Sequence, residues 1–168
     1  MKNYFQATSE NLYHLSVGAV LVNDKNEVVC HYFKKAPESA PGEYKGLKNA
    51  YFLMHETVER GELVEETLHR GLMEEFGATG DALSFLGSQE KVFKGNKVTA
   101  IKTTLYFLVR MKEIDLGRRS HEDIEGDSEI VFLPIGDCIL NMKEQWDRLH
   151  CETLDESEIV ERARDCFS

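Results

Sequence analysis

The stretch ELVEETLHRGLMEEFGA, residues 62–78, decides how this chain is read. Val64, Leu68 and Leu72 recur every fourth residue, which predicts an amphipathic helix over about 63–76 with those side chains on the core. Gly77 follows the last helical residue, the usual place for a left-handed cap. Glu62, Glu74 and Glu75 occupy the other faces, and Arg70 lies one turn before the Glu pair. Positions three and four apart share a helix face, so Arg70 is level with Glu74 and Glu66, and Gly71 with Glu74 and Glu75. Dense carboxylates beside one arginine suit a divalent cation held against a polyphosphate.

On either side the chain reads mainly as strands. Residues 14–22 and 27–33 are apolar, β-rich runs joined by the turn residues Asn23 to Asn26. Lys34 to Lys48 is a loop holding Pro37 and Pro41, 51–53 is a short strand, and Met54 to Gly61 is read as a loop. Residues 82–93 and 97–111 pair as strands around Lys94-Gly95-Asn96, the second alternating through Ile101, Thr103, Leu105, Phe107 and Val109. Residues 112–127 read as a charged loop and 129–133 as a strand closed by Pro134. Helices over about 136–150 and 156–166 finish the chain, the last with Asp155 and Glu158 at capping-box spacing. Trp146 shares an apolar stripe with Ile139, Met142 and Leu149 and is expected in the core. The order predicts an α/β sandwich around a mixed β-sheet, a single domain over 1–168 with its core at about 12–150.

Composition excludes some functions. A formal net charge of −10 makes a poor generic nucleic-acid binder, which needs Lys and Arg to neutralise phosphates. At a phosphate site metal ions would have to supply the positive charge. Cys30, Cys138, Cys151 and Cys166 form no C-x-x-C pair and no zinc spacing, so reduced thiols in a cytoplasmic protein are expected. The first residues are polar and no run of about 18 apolar residues occurs, so no membrane span is expected.

The segment 56–78 resembles the signature of the Nudix hydrolases, G-x5-E-x7-R-E-U-x-E-E-x-G-U, where U is a bulky aliphatic residue. Glu62 falls on the first glutamate, Arg70 on the arginine, Leu72 on the aliphatic place, Glu74 and Glu75 on the glutamate pair, and Gly77 on the closing glycine; Ala78 is a small version of the last residue. Glu59-Arg60-Gly61-Glu62 also looks like the family's E-x-G-E lead-in. The resemblance covers about 12–150 at the level of the fold. It implies a Nudix-like α/β/α sandwich with a loop–helix–loop signature. It implies a Mg²⁺- or Mn²⁺-dependent hydrolase that splits the pyrophosphate bond of a nucleoside diphosphate linked to another group. By the same resemblance Glu74 and Glu75 are metal ligands, Arg70 orients the acids through ion pairs, and Glu62, Gly61 and Gly77 support the motif. Family members are often homodimers.

Two positions depart from the pattern. Glu56 stands where the opening glycine belongs, and Gly71 where a further metal-binding glutamate follows the arginine. Three readings stay open. Catalysis is lost or weak, leaving a nucleotide- or protein-binding module. Alternatively, Glu74 and Glu75 with a downstream acid hold fewer or weaker metals. Or the departures compensate, the Glu56 carboxylate reaching into the space over Gly71. The downstream acid would come from 121–129, which offers Glu122, Asp123, Glu125, Asp127 and Glu129, with Glu125 preferred. Lys34, Lys35, Lys45 and Lys48 surround the 34–48 loop, Lys35 and Lys48 foremost as phosphate contacts, and Tyr44 or Phe33 is placed to stack on a base. His55 and His69 flank the signature and read as ordinary surface or core residues.

Overall fold

The structure, a computed structural model, describes residues 5–38, 40, 44–94, 99–122, 124–151 and 154–168. Pro41, Asp123 and residues 95–98, which include part of the expected turn Lys94-Gly95-Asn96, lie outside them. Among the described residues seven strands form one sheet: β1 (Tyr13–Val22), β2 (Glu27–Lys35), β3 (Lys48–Phe52), β4 (Met54–Thr57), β5 (Ala78–Lys94), β6 (Thr99–Ile114) and β7 (Glu129–Pro134). Helix α1 (Val64–Phe76) follows β4, and α2 (Ile135–Leu149) and α3 (Ser157–Asp165) close the chain. The main path runs β3-β2-β1-β6-β5, with β4 beside β1 and β7 beside β2. β1 runs parallel to β6 from Tyr13↔Ile101 to Val22↔Arg110, and the other pairs are antiparallel, so the sheet is mixed.

Side chains alternate across a strand, and β1 is buried on both faces. Val17, Ala19 and Leu21 pack with Leu68, Leu72 and Phe76 of α1. Val20 and Val22 pack on the opposite face with Cys138, Ile139 and Met142 of α2 and with Ile159, Val160 and Ala163 of α3. Helices therefore cover both faces of the sheet, giving the α/β/α sandwich. Cys30 Sγ of β2 lies 3.7 Å from Cys138 Sγ of α2 within this core, and Cys30, Cys138 and Cys166 carry free thiols.

The sheet splits where β1 and β2 part. Their register pairs Val22 with Val28, after which β3 takes the place beside β2 and β4 the place beside β1. Leu53 carries the chain across the split between β3 and β4. Residues 54–57, expected as loop, are therefore strand; four residues are too few for alternation to show. β3, β5 and β6 are longer than expected, and the charged loop shrinks to 115–128, with 3₁₀ turns at Leu116–Arg118 and Ile124–Asp127. Trp146 is 40% exposed rather than in the core, because Gln145 takes the inward position and bonds Tyr51 and Leu154. The capping box at Asp155 does not form. Asp155 Oδ1 accepts from the Ser157 N–H, and the helix starts after Glu156, whose carboxylate turns into the protein.

Among the described residues no helix is long and apolar enough to cross a membrane.

Candidate active site

Helix α1 presents the acids. Its start is held by the Leu63 N–H donating to Glu66 Oε2 at 2.7 Å, and it ends at Gly77 with φ +62°, whose N–H returns to Met73 O at 2.9 Å. A side chain at Gly77 would strike the Asp115 carbonyl, so both backbone and space require glycine there. Gly61, at φ +82°, makes the turn that leads into the helix.

Arg70 organises the signature. Its Nε and Nη2 donate to Glu62 Oε1 and Oε2 at 2.8 and 2.9 Å, Nη1 pairs with Glu56 at 3.0 Å and Glu74 at 3.4 Å, and Nη2 also donates to Thr57 O at 2.8 Å. The forked pairing suits a planar guanidinium. Hydrogen bonding from Arg70 brings Glu62's pKa down from its ordinary 4.5 to about 2, against the opposing effect of burial. Burial raises the pKa of Glu56, and the Arg70 pairing opposes that rise.

Gly71 and Glu56 occupy one space. A Cβ placed on Gly71 would lie 2.7 Å from Glu56 Cβ, 2.7 Å from Met54 Sδ and 3.2 Å from Glu56 Cγ. The β4 side chain fills the volume that a side chain at position 71 would take, and its carboxylate stays beside Arg70.

Glu75 points inward, only 8% exposed. Its Oε2 lies 2.7 Å from His31 Nε2, and the His55 N–H donates to Oε1 at 3.2 Å. His31, itself buried on β2, reaches Ser128 Oγ through Nδ1 at 2.7 Å. Ser128 Oγ donates to the Glu125 carbonyl at 2.7 Å, so it accepts from His31 Nδ1–H, and neutral His31 then turns its Nε2 lone pair towards Glu75. One proton is shared between Nε2 and the carboxyl. Burial, with Glu125 and Glu56 nearby, pushes Glu75's pKa well up. Burial and the charge on Arg119 bring that of His31 down to about 3. Burial thus disfavours a charge on either member of the pair. Arg119 ties the assembly together by donating to Glu75 O, Glu125 O and Ser128 O at 2.7, 2.7 and 3.1 Å.

Two cavities meet at Glu75, His55 and Glu125. The acid cavity, of about 230 Å³, is lined by Glu56, Glu74, Glu75 and Glu125 with Thr57 and Ser120. The larger, of about 520 Å³, lies in the split of the sheet. Phe33, Tyr44, Phe52 and Phe93 give it an aromatic wall, and His14 and Lys102 add polar groups. Tyr44 packs edge-on to Phe52 at 5.5 Å and tilted to Phe93 at 5.7 Å. Lys35 and Lys48 line neither cavity. Lys35 is 58% exposed and pairs with Glu38 at 3.3 Å, and the exposed Lys48 gives its carbonyl to Arg148. The lysine at the cavity is Lys102, whose pKa burial lowers while Glu156, Glu75 and Glu125 oppose the drop.

His55 stands where the cavities join, and its ring is held from behind. Glu156, 1% exposed, takes His55 Nε2–H at 2.5 Å, the Tyr106 hydroxyl at 2.6 Å and the Leu53 N–H at 3.1 Å. Burial favours protonation of Glu156, but His55, Lys91 and the Tyr106 hydrogen bond outweigh it and bring its pKa down to about 2. His31, Arg119 and Glu156 escape a reading of the sequence alone. The signal for His31 is a histidine inside the apolar run Val28-Val29-Cys30, since a strand buried there must give it partners.

The donor set suits a hard divalent cation: four carboxylates face one cavity, and burial first, then repulsion from Glu125 and Glu56, penalise a charge on Glu75 that such a cation would offset. Among the described residues no three His, Cys, Asp or Glu side chains already converge as a metal-ligand cluster.

The chain thus has the architecture of an α/β/α sandwich with a carboxylate-bearing helix facing a substrate-sized cavity. The family model for the NUDIX domain matches residues 12–153, and the chain belongs to that family. Among solved structures it resembles a NUDIX hydrolase from Nitrosomonas europaea at TM-score 0.63 and 14% identity, covering 90% of this chain and 88% of that one. It resembles the MutT protein from Methanosarcina mazei Go1 at TM-score 0.57 and 18% identity, covering 96% and 99%. A MutT NUDIX hydrolase from Burkholderia pseudomallei aligns at TM-score 0.52 and 18% identity, covering 74% and 84%. No curated protein matches the sequence.

Proposed function

We propose that this protein is a Mg²⁺- or Mn²⁺-dependent hydrolase of the pyrophosphate bond in a nucleoside diphosphate linked to another group. The observation that carries the reading is the junction at Glu75, where a carboxylate-lined cavity opens into an aromatic one. Glu74, Glu75 and Glu56, with Glu125, are the residues that would hold the cation, and Glu75 must give up its shared proton to do so. When bound, the cation offsets phosphate charge and acidifies a water. Arg70 keeps Glu56, Glu62 and Glu74 aimed by its forked pairing. Glu74, 46% exposed on its side chain, is the carboxylate open enough to accept a proton from the attacking water. The aromatic wall takes the nucleoside and keeps water from that side. The setting is cytoplasmic, where thiols stay reduced.

The compensation of Gly71 by Glu56 favours an enzyme over a decayed module, because a carboxylate is retained beside the helix. One observation favours the rival, a weak or inactive nucleotide- or protein-binding module: Glu75 is tied to His31 and Glu56 to Arg70. A phosphate-release screen over nucleotide substrates with Mg²⁺ and Mn²⁺, run beside Glu75→Gln, decides between them. Metal-dependent turnover that the substitution abolishes supports the hydrolase; nucleotide binding without turnover supports the rival.

A further inference from the structure

The aromatic end of the site carries a polar pair that hydrolysis does not use. Lys102 reaches the cavity from β6, its ammonium 5.8 Å from the centroid of the Phe93 ring. Among the described residues it has neither a hydrogen-bond acceptor nor an ion-pair partner. It lines the main cavity and also an annex of about 20 Å³ whose wall includes Gln89, Thr104 and Tyr106. Gln89 Oε1 is buried there and accepts no hydrogen bond among the described residues. Buried polar atoms are nearly always paired, and an unpaired one costs free energy. A donor and an acceptor stand unpaired around one small space. Its 20 Å³ has room for a single exocyclic atom but not for a ring. Tyr44, Phe52 and Phe93 also border it, so the entering atom would hang from a flat ring stacked among them.

We propose that this end selects heterocycles with an exocyclic oxo group beside a ring N–H, as in hypoxanthine, guanine and uracil, over the amino rings of adenine and cytosine. Lys102 Nζ donates to the oxo group, and Gln89 Oε1 accepts from the ring N–H. In the same pose an exocyclic amine would set a donor against Lys102 Nζ and a ring-nitrogen lone pair against Gln89 Oε1, so both pairings would be lost. Lysine contacts to the O6 and N7 acceptors of guanine follow the same pairing rule in nucleic-acid recognition. The inference rests on the proposed nucleotide chemistry for why a base enters the cavity, but it is read from Lys102 and Gln89 rather than from the metal-holding acids.

The test is calorimetric titration with IMP against AMP, and UMP against CMP, pairs that differ only at this edge. Wild type is expected to bind the oxo member about 10-fold more tightly in each pair. Lys102→Met keeps the side-chain length without the charge and is expected to bring the ratios within about 2-fold; a thermal melt confirms that it folds. Wild-type ratios below about 2-fold, or ratios unchanged in Lys102→Met, overturn the inference. Should Lys102→Met fail to fold, the wild-type ratios and Gln89→Leu carry the test. Metal-dependent turnover of all four bases alike sinks the base preference and leaves the hydrolase reading standing. An oxo preference in binding without any turnover does the reverse.

Discussion

The acid end of the site and its aromatic end share His55 and Glu75 but are built by different means. At the acid end, Glu62, Arg70, Glu74 and Glu75 come from one helix and its lead-in, and Arg70 locks residues no more than 14 positions away. The aromatic end draws Phe33 from β2, Phe52 from β3, Phe93 from β5, Lys102 from β6 and Tyr44 from a connection. The first depends mostly on helix geometry, with Glu56 and Glu125 brought in from β4 and the 124–127 turn, and the second on where the sheet splits. Chemistry placed on the helix tolerates exchange elsewhere, whereas selectivity placed in the split is open to change at many separate positions.

The widest gap between the two ends should appear with Glu75→Gln, which is expected to lower metal-dependent phosphate release by about 10²–10⁴-fold while leaving nucleotide monophosphate binding near wild type. Equal turnover would remove the acid end from the reaction. Next is the exchange at Gly71. Gly71→Glu alone overpacks against Glu56 and Met54 and should destabilise by about 1–3 kcal/mol in denaturant titrations. Adding Glu56→Gly should recover more than half of that, giving a coupling of about 1 kcal/mol or more. Additive effects would show that the two positions do not share one space.

Glu62→Gln should cost about 2 kcal/mol at pH 7 by leaving Arg70 short of its charged partner. Because Glu62's folded pKa lies below its ordinary value, its stabilisation is present above 4.5 and is lost as pH falls towards 2. Melting curves of the two proteins should therefore converge across that window, and a constant gap would contradict the Arg70 lock. At the aromatic end, Tyr44→Leu should raise KM about 10-fold with kcat nearly unchanged, the loss of one stacking surface. A fall in kcat instead would move Tyr44 into the chemistry. Lys35→Ala and Lys48→Ala should change KM by less than about twofold, since both side chains lie in solvent outside the cavities.

The local parts of this protein were legible in its residues. Apolar side chains every fourth position announced α1, Gly77 announced its end, and the spacing of Arg70 to Glu74 announced a shared face, because in a helix neighbours in space are neighbours in sequence. The sandwich and six of the strands followed from apolar runs and turn residues, whereas β4 read as loop. Only the tertiary structure decided what meets across the split. Glu56 sits over Gly71 because β4 pairs with β1 at Val17↔Glu56. His31 reaches Glu75 across 44 positions, and Glu156 reaches His55 across 101. Such contacts depend on strand register and on how far β1 and β2 diverge, and no periodicity in the chain encodes either. The helix carries the acids by its own geometry; the pocket exists because the sheet around it comes apart.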